Sequence, residues 1–359
     1  MTRDAASDAP PWDQHDPLAC PCCGGALAAG EASWSCRGCA RAFRAVLGIP
    51  DLRVPIGPAA VEQDEDWAVA CDLAGAYPRT SFEDLIERLW SHRLTRDAVR
   101  RPHAAMRTAQ LRGAPLRYAR DLSGAGWLGA LLAGRPCERV LDLGCGPGGF
   151  LLPAARRFPG AVGVDLSLAW LVICRKRLED ARVTARLLCA CAERLPFTPD
   201  AFDLVVSPDV IEHVADRDAT VREAHRVLRP GGLLVCTTPN RFSLTAEPHY
   251  QAWGVGLLPR AWMNGYVRWR TGQDFHSTYP LSARDLRLLF GRHFASGCRL
   301  LVPEVPPEEI AIFHPAKRVA ARLYNRVIRL APVRAGLRTV APFFRVVAAK
   351  EPARGTRAG

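Results

Sequence analysis

Past Arg139 the chain alternates short apolar runs with longer stretches whose apolar positions recur every three or four residues. The runs at 140–143, 161–164, 185–190, 202–207 and 233–237 predict strands. Between them, helical spacing predicts helices over 152–158, 168–178 and 218–228. Strand and helix taken in turn predict an α/β domain, with a parallel sheet wrapped by helices. A long Trp- and Arg-rich stretch, 239–280, interrupts that rhythm. A helix over 282–290, a strand over 299–302, a basic helix over 316–331 and a last strand over 343–348 restore it, so seven strands are expected.

Upstream the texture differs. Phe82, Leu85, Ile86, Leu89 and Trp90 fall at steps of three and four, and residues 62–135 read as helical, with breaks expected at 113–115 and 123–126. Residues 18–54 are dense in Cys and Gly and form a compact unit, while the Ala-, Asp- and Pro-rich 1–17 read as a frayed terminus. The expected organisation is a small unit at 18–54, a helical linker or cap at 62–135, and a catalytic-type α/β domain at 137–350 with a lid-like insertion at 239–280.

Within the small unit, Cys20-Pro-Cys-Cys23 and Cys36-Arg-Gly-Cys39 form two C-x-x-C knuckles separated by twelve residues. Each knuckle turns two thiolates towards one tetrahedral ion, and Gly24, Gly25 and Gly38 permit the tight turns. Cys20, Cys23, Cys36 and Cys39 supply four sulfurs and leave no open position, which predicts a structural Zn2+. So short a segment buries little core, so the metal is expected to supply much of its folding energy. With the stretch that follows the second knuckle, Phe43 to Leu52, which includes Gly48-Ile49-Pro50-Asp51-Leu52, the unit resembles the small zinc-ribbon segment that precedes the catalytic domain in some bacterial methyltransferases.

Composition narrows the class. Of 359 residues, 48% are apolar and 23% charged, the balance of a globular protein and not of a fibrous or disordered one. No apolar run approaches the roughly 20 residues of a spanning helix, and the Asp-bearing first nineteen residues hold no apolar signal core. A cytoplasmic protein is expected, in which thirteen cysteines serve for metal ligation or burial and not for disulfides. Net charge is +12, and residues 311–359 hold eleven Lys or Arg against the single acid Glu351. Such a basic end calls for an anionic partner. On a helical projection of 317–331, Arg318, Arg322, Arg326 and Arg329 share one side and most apolar residues the other. Such a helix either packs on the sheet or lies on an anionic membrane, as a peripheral attachment to its inner face.

The segment from Val140 to Gly149 reads Val-Leu-Asp-Leu-Gly-Cys-Gly-Pro-Gly-Gly. A strand ends, the backbone turns on glycines where a ligand approaches closely, and a helix starts. Gly144, Gly146 and Gly149 also satisfy G-x-G-x-x-G, so the loop alone leaves a nicotinamide dinucleotide open. Asp165 at the end of the next strand would contact ribose hydroxyls in either case. Asp142, inside the motif, suits a cationic ligand and opposes a pyrophosphate. Downstream come Cys191-Ala-Glu-Arg-Leu-Pro-Phe197, Phe202-Asp-Leu-Val-Val-Ser207 and Arg226-Val-Leu-Arg-Pro-Gly-Gly232. This succession, over about residues 138–240, resembles the class I S-adenosylmethionine-dependent methyltransferases of the ubiquinone-biosynthesis-like group.

The resemblance implies a seven-stranded Rossmann-like sheet and S-adenosylmethionine as cofactor. Asp142 with the backbone of Gly144, Cys145 and Gly146 would hold its amino-acid end. Asp165 would take the ribose, Leu166 the adenine face, and Cys191, Ala192 and Glu193 the adenine edge, with Ser207 completing the set. The family usually has Asp where this chain has Cys191, so one adenine contact would have to come from Glu193 or a backbone carbonyl. Strand four runs into Ser207-Pro-Asp-Val-Ile-Glu-His213, without the Asn-Pro-Pro-Tyr type of clamp for a planar amine. His213 and His249 are the candidate bases. The expected acceptor is a small molecule, a glycan or a lipid-linked intermediate, methylated at oxygen. An RNA base methyltransferase, with the same order of zinc ribbon and catalytic domain, and a non-catalytic recruitment module are the alternatives.

Overall fold

The computed structural model describes residues 12, 16–30, 33–54, 59–93, 100–275, 278–330, 332 and 336–352. Most of the 1–17 terminus, and Arg334, Arg354 and Arg357 of the basic end, lie outside the described residues. The chain divides into two compact units, 1–203 and 204–359.

The first unit opens with strands β1 (Leu27–Ala29), β2 (Ser33–Cys36), β3 (Ala42–Val46) and β4 (Ile49–Pro50), joined in that order into a four-stranded antiparallel sheet. Trp34 and Phe43 face each other across β2 and β3, and both are buried. Leu47 and Gly48 both take positive φ, 49° and 72°, the two-residue turn that matches hairpin twist. Glycine suits that conformation and leucine does not, but the Leu47 carbonyl is held by the Arg175 guanidinium.

Helices α1 (Ala59–Ala76), α2 (Phe82–Arg93), α3 (Arg100–Leu122) and α4 (Trp127–Leu132) follow. Phe82, Leu85, Ile86 and Leu89 are buried on one face of α2, as their spacing predicts. The break expected at 113–115 is absent: α3 runs through Pro115. A proline there frees the carbonyl four residues back. That carbonyl, Leu111, accepts from the Arg177 guanidinium at 2.7 Å, so the helix continues. The break expected at 123–126 is present, between α3 and α4.

Then the alternation begins: β5 (Arg139–Leu143), α5 (Leu151–Arg157), β6 (Gly160–Asp165), α6 (Leu168–Asp180) and β7 (Arg186–Cys189), with β5, β6 and β7 parallel. β8 (Phe202–Pro208) leads into the second unit, where α7 (Arg217–Val227), β9 (Leu228–Pro239), α8 (Arg260–Thr271), α9 (Ala283–Gly291), β10 (Arg299–Leu301), α10 (Pro307–Ile312), α11 (Pro315–Val327) and β11 (Phe343–Ala349) follow. β11 is antiparallel to both β9 and β10. The large sheet has seven strands in the order β10-β11-β9-β8-β5-β6-β7, the Rossmann-like α/β arrangement expected from the sequence.

The stretch 239–280 forms a small helical unit of its own. Tyr250, Ala252, Val255, Met263 and Val267 pack into a core that Leu258, Tyr266 and Phe275 flank. Trp253, Trp262 and Trp269 remain exposed, Trp269 at 78%. On α11 only Ala321 is buried, while Val319 and Leu323 are 66% and 59% exposed. The helix is fixed instead to the segment before α10: the Tyr324 hydroxyl donates to the Pro303 carbonyl, and Asn325 exchanges two bonds with Val305. Among the described residues, no helix is long and apolar enough to cross a membrane.

Candidate active site

The glycine loop leaves β5 at its carboxyl end. Gly144 has φ 77°, and its amide and that of Cys145 both donate to the Val164 carbonyl, which ties the loop to β6. Gly146 has φ 48°, and a Cβ built on it meets nothing within 4 Å, so its open side faces free space. Its amide donates to Asp165 Oδ2 at 2.8 Å, and the Ser167 amide donates to Oδ1 at 2.8 Å. Asp165 is thereby fixed at the end of β6. Cys145 contributes only backbone, because its thiol is buried and would lie 3.0 Å from a Cβ on Gly163 of β6.

Asp142 is 1% exposed, and among the described residues the only group that approaches its carboxylate as a donor is the Leu151 amide, outside full hydrogen-bond geometry. Burial, and then the Asp165 charge, push its carboxyl well above the ordinary carboxylate range. A buried carboxylate without a charged partner is costly. Two acidic side chains flanking a glycine loop repel a pyrophosphate and suit an ammonium group and ribose hydroxyls. The residues present therefore fit the amino acid and ribose of S-adenosylmethionine.

Leu166, Cys191, Ala192 and Glu193 belong to the same unit as the glycine loop, and Ser207 to the second unit. Leu166 is exposed directly after Asp165. Cys191 and Ala192 are buried and Glu193 half-buried in the turn after β7. The Cys191 thiol faces the Val54 carbonyl at 3.9 Å, and burial pushes it up. Ser207 is buried near the end of β8.

The four cysteine sulfurs of the ribbon come together as expected, all within 4.8 Å of one another. Cys20 Sγ lies 3.8 Å from Cys39 Sγ, and Cys23 Sγ 3.4 Å from Cys36 Sγ. Backbone N–H groups of Cys22, Gly25, Gly38 and Cys39 point at sulfurs, 3.3 to 3.4 Å away. The Cys39 amide draws the Cys36 thiol down to about 6. A Cβ on Gly25 would sit 3.2 and 3.3 Å from two of the sulfurs, so only glycine lets this turn wrap them closely. Four soft donors with satisfied amides fit a structural zinc ion.

In the second unit the two candidate bases, 36 residues apart in sequence, meet. His213 Nε2 lies 3.1 Å from His249 Nε2. Glu247 Oε1 accepts from His249 Nδ1 at 2.8 Å, and Glu247 Oε2 accepts from the His249 and Tyr250 amides. A carboxylate on Nδ1 fixes the proton there and turns Nε2 of His249 towards His213 as an acceptor. Sequence reasoning missed Glu247, whose signal was its position two residues before a candidate base. Glu212 is buried, accepts from the Thr238 hydroxyl at 3.0 Å, and leaves Oε1 unpartnered among the described residues. Burial, and then Asp209, hold its carboxyl well above the ordinary range.

Glu212 and His213 line a cavity of about 420 Å³, with Met263 and Phe275 among its apolar walls. Tyr279, another wall, is sandwiched between two guanidinium groups, Arg217 at 4.0 Å and Arg260 at 3.7 Å from the ring centroid. Arg260 pairs with Asp285 at 3.3 Å. Arg217 donates to the Val214 carbonyl and has no carboxylate partner among the described residues. The buried Thr278 hydroxyl, also lining the cavity, is unpartnered among the described residues.

Residues 141–236 match the methyltransferase domain family. The ubiquinone biosynthesis O-methyltransferase of Cereibacter sphaeroides is 38% identical over 103 residues, 29% of this chain and 42% of that protein. The protein of the same name from Chelativorans sp. is 34% identical over 128 residues, 35% of this chain and 51% of the relative. The chain thus spans about half, or less, of the length of these curated relatives. Among solved structures, Haemonchus contortus phosphoethanolamine N-methyltransferase 2 in complex with S-adenosyl-L-methionine is 22% identical. That likeness covers 67% of this chain and 57% of that one, with a TM-score of 0.40. Residues 141–236 thus resemble a methyltransferase domain, and the four-cysteine cluster precedes them.

Proposed function

We propose that this protein transfers a methyl group from S-adenosylmethionine to an oxygen of a small or lipid-linked acceptor that carries a negative group. The observation that carries the cofactor reading is Asp142, buried beside the glycine loop with no charged or side-chain partner for either oxygen among the described residues. When bound, the cofactor supplies a methyl group activated on a sulfonium centre. Asp142 and the backbone of Gly144, Cys145 and Gly146 hold its amino-acid end. Asp165, oriented by two amides, receives the ribose hydroxyls. Leu166, Ala192 and Glu193 would border the adenine, and Glu193 or a backbone carbonyl would replace the Asp that the family usually has at the position of Cys191.

An acceptor hydroxyl becomes a better nucleophile as its proton leaves, and a positioned base contributes typically 10²–10⁴-fold. His213 and His249 take that proton, and the Glu247 carboxylate stabilises the charge they acquire. Arg217 selects an anionic substituent, and Met263 and Phe275 cover apolar parts of the acceptor. Zinc keeps the ribbon folded and takes no part in the transfer. A second reading has one observation in its favour: ligand atoms of Glu212, His213 and His249 lie within 4.8 Å of one another, a set that suits a divalent cation. Dialysis against chelator followed by metal add-back separates the two, since the base reading predicts activity independent of added metal.

The exposed Val319 and Leu323 among the arginines of α11, with the exposed Trp262 and Trp269, support an anionic membrane as the place where a lipid-linked acceptor is met. RNA is less favoured, because Arg44 of the ribbon is engaged by Asp64 at 3.4 Å and stacks on Trp67. The test is calorimetry with S-adenosylhomocysteine, then mass spectrometry of cell extract incubated with the protein and deuteromethyl-labelled cofactor. Saturable binding, abolished in Asp165→Ala, with label on an organic-soluble anionic product, is expected. Binding of a nicotinamide dinucleotide in its place, or label confined to RNA, would refute the reading.

A further inference from the structure

The segment leaving the ribbon, 51–54, lies along the end of β7 like an added strand. Asp51 bridges Cys189 in parallel, and the Leu52 amide donates to the Cys189 carbonyl at 2.7 Å. Next in this segment is Arg53, whose side chain is 2% exposed. Its Nε and Nη2 donate to the two oxygens of Asp51 at 2.7 and 2.8 Å. Its Nη1 donates both to Asp66 Oδ2 at 2.9 Å and to the Leu166 carbonyl at 3.0 Å.

Asp66 comes from α1 and continues the chain of bonds. It accepts from the Ser167 hydroxyl at 2.6 Å and from the Leu168 amide at 2.7 Å. Ser167 is the N-cap of α6, and its own amide is one of the two that orient Asp165. Three polypeptide segments, the ribbon tail, α1 and the 165–168 turn, are thus joined through one buried guanidinium. Two carboxylates and one guanidinium out of water are expensive, and a hydrophobic packing of equal volume is often no less stable. A bidentate fork plus two further bonds does something apolar packing cannot: it fixes the orientation of a peptide group.

We infer that Arg53 is a positioning residue for the ribose and adenine end of the cofactor site, linking the fold of the four-cysteine ribbon to the turn that presents Asp165 and Leu166. The inference rests on the assignment of that turn to S-adenosylmethionine. Arg53 touches no cofactor atom; it acts through the Leu166 carbonyl and through Asp66. Its influence must therefore be confined to the nucleoside end, leaving the amino-acid end at Asp142 untouched.

The test uses the full zinc-loaded chain and two ligands, S-adenosylhomocysteine and 5′-methylthioadenosine, which keeps the nucleoside and lacks the amino acid. Calorimetry is run well below each variant's melting temperature. Arg53→Gln is expected to weaken both ligands by the same factor, tenfold or more. Asp142→Asn is expected to weaken S-adenosylhomocysteine alone. Asp66→Asn, which leaves the Asp51–Arg53 pair intact, is expected to weaken both ligands more mildly and serves where Arg53→Gln does not fold. A lower melting temperature with both affinities unchanged would make Arg53 merely structural and overturn the inference. So would a loss confined to S-adenosylhomocysteine. If the wild-type chain binds neither ligand, the cofactor assignment falls first and the inference with it.

Discussion

Replacing Asp142 by Asn should make the protein more stable and a worse binder of its cofactor. The side chain is 1% exposed, and burial and then Asp165 raise its carboxyl, with only the Leu151 amide opposing them among the described residues. A carboxyl raised in the folded state keeps its proton where the unfolded chain has already lost one. Stability must therefore fall as pH climbs from the unfolded value, about 4, through the folded one. Asn has nearly the same shape and no proton to lose. Removing an unsatisfied buried charge is worth about 1–3 kcal/mol, and the lower half applies because the Asn amide also seeks partners. A gain of about 1–2 kcal/mol raises the melting temperature by about 2–8 °C in a domain of this size.

Affinity moves the other way. A hydrogen bond between a carboxylate and the cofactor's ammonium group is worth about 1.5–3 kcal/mol, so S-adenosylhomocysteine should bind about ten- to a hundredfold more weakly. Because only the ionised carboxylate pairs with that group, wild-type affinity should rise with pH while that of the variant stays flatter. Differential scanning fluorimetry at pH 4 and pH 8, with calorimetry at several pH values, measures both effects. The variant should melt higher at pH 8 and show no such gain at pH 4. An Asn variant that melts lower at pH 8, or binds S-adenosylhomocysteine as the wild type does, would refute the reasoning.

Cys36→Ser should lower bound zinc, read by a colorimetric release assay, from one equivalent per chain to well below it, and wild-type protein freed of metal by chelation should melt at lower temperature; a chain that holds no zinc and melts unchanged contradicts the ribbon's role. Glu247→Gln should reduce kcat about a hundredfold at neutral pH with little change in S-adenosylmethionine affinity, and an unchanged kcat removes the histidine pair from the mechanism. Gly163→Ala places a Cβ 2.6 Å from Leu151 Cδ2 and 3.0 Å from Cys145 Sγ, so it should cost about 1–3 kcal/mol in a chemical denaturation series.

The α/β alternation was legible because strands buried on both faces of a parallel sheet must be apolar throughout, and those runs stand out between amphipathic helices. The glycine loop was legible for a similar reason: its residues act on their own local backbone. What escaped depends on partners distant in sequence. Pro115 reads as a breaker unless Arg177, 62 residues away, is known to take the freed carbonyl. His213 and His249 were each visible as candidates, but nothing local says that their rings stand 3.1 Å apart. The apolar side of α11 suggests packing on the sheet, whereas Tyr324 and Asn325 anchor the helix elsewhere and leave Val319 and Leu323 in solvent. Arg53 looks like an ordinary residue after a turn.

Asp142 and Arg53 show why the two ends of one cofactor site are built differently. The ribose end meets neutral hydroxyls that give little energy on their own, so its geometry must be set beforehand. Accordingly Asp165 is tied by two amides, and the turn beyond it is tied to Arg53 and Asp66. The amino-acid end meets a full positive charge, and a carboxylate without a cationic partner among the described residues keeps most of its capacity for that charge. Pairing Asp142 within the protein would stabilise the fold and weaken the site, whereas loosening Asp165 would gain nothing for either. Discrimination against pyrophosphate follows from the same asymmetry, since the Asp142 carboxylate stands beside the glycine loop where a dinucleotide enzyme needs positive potential.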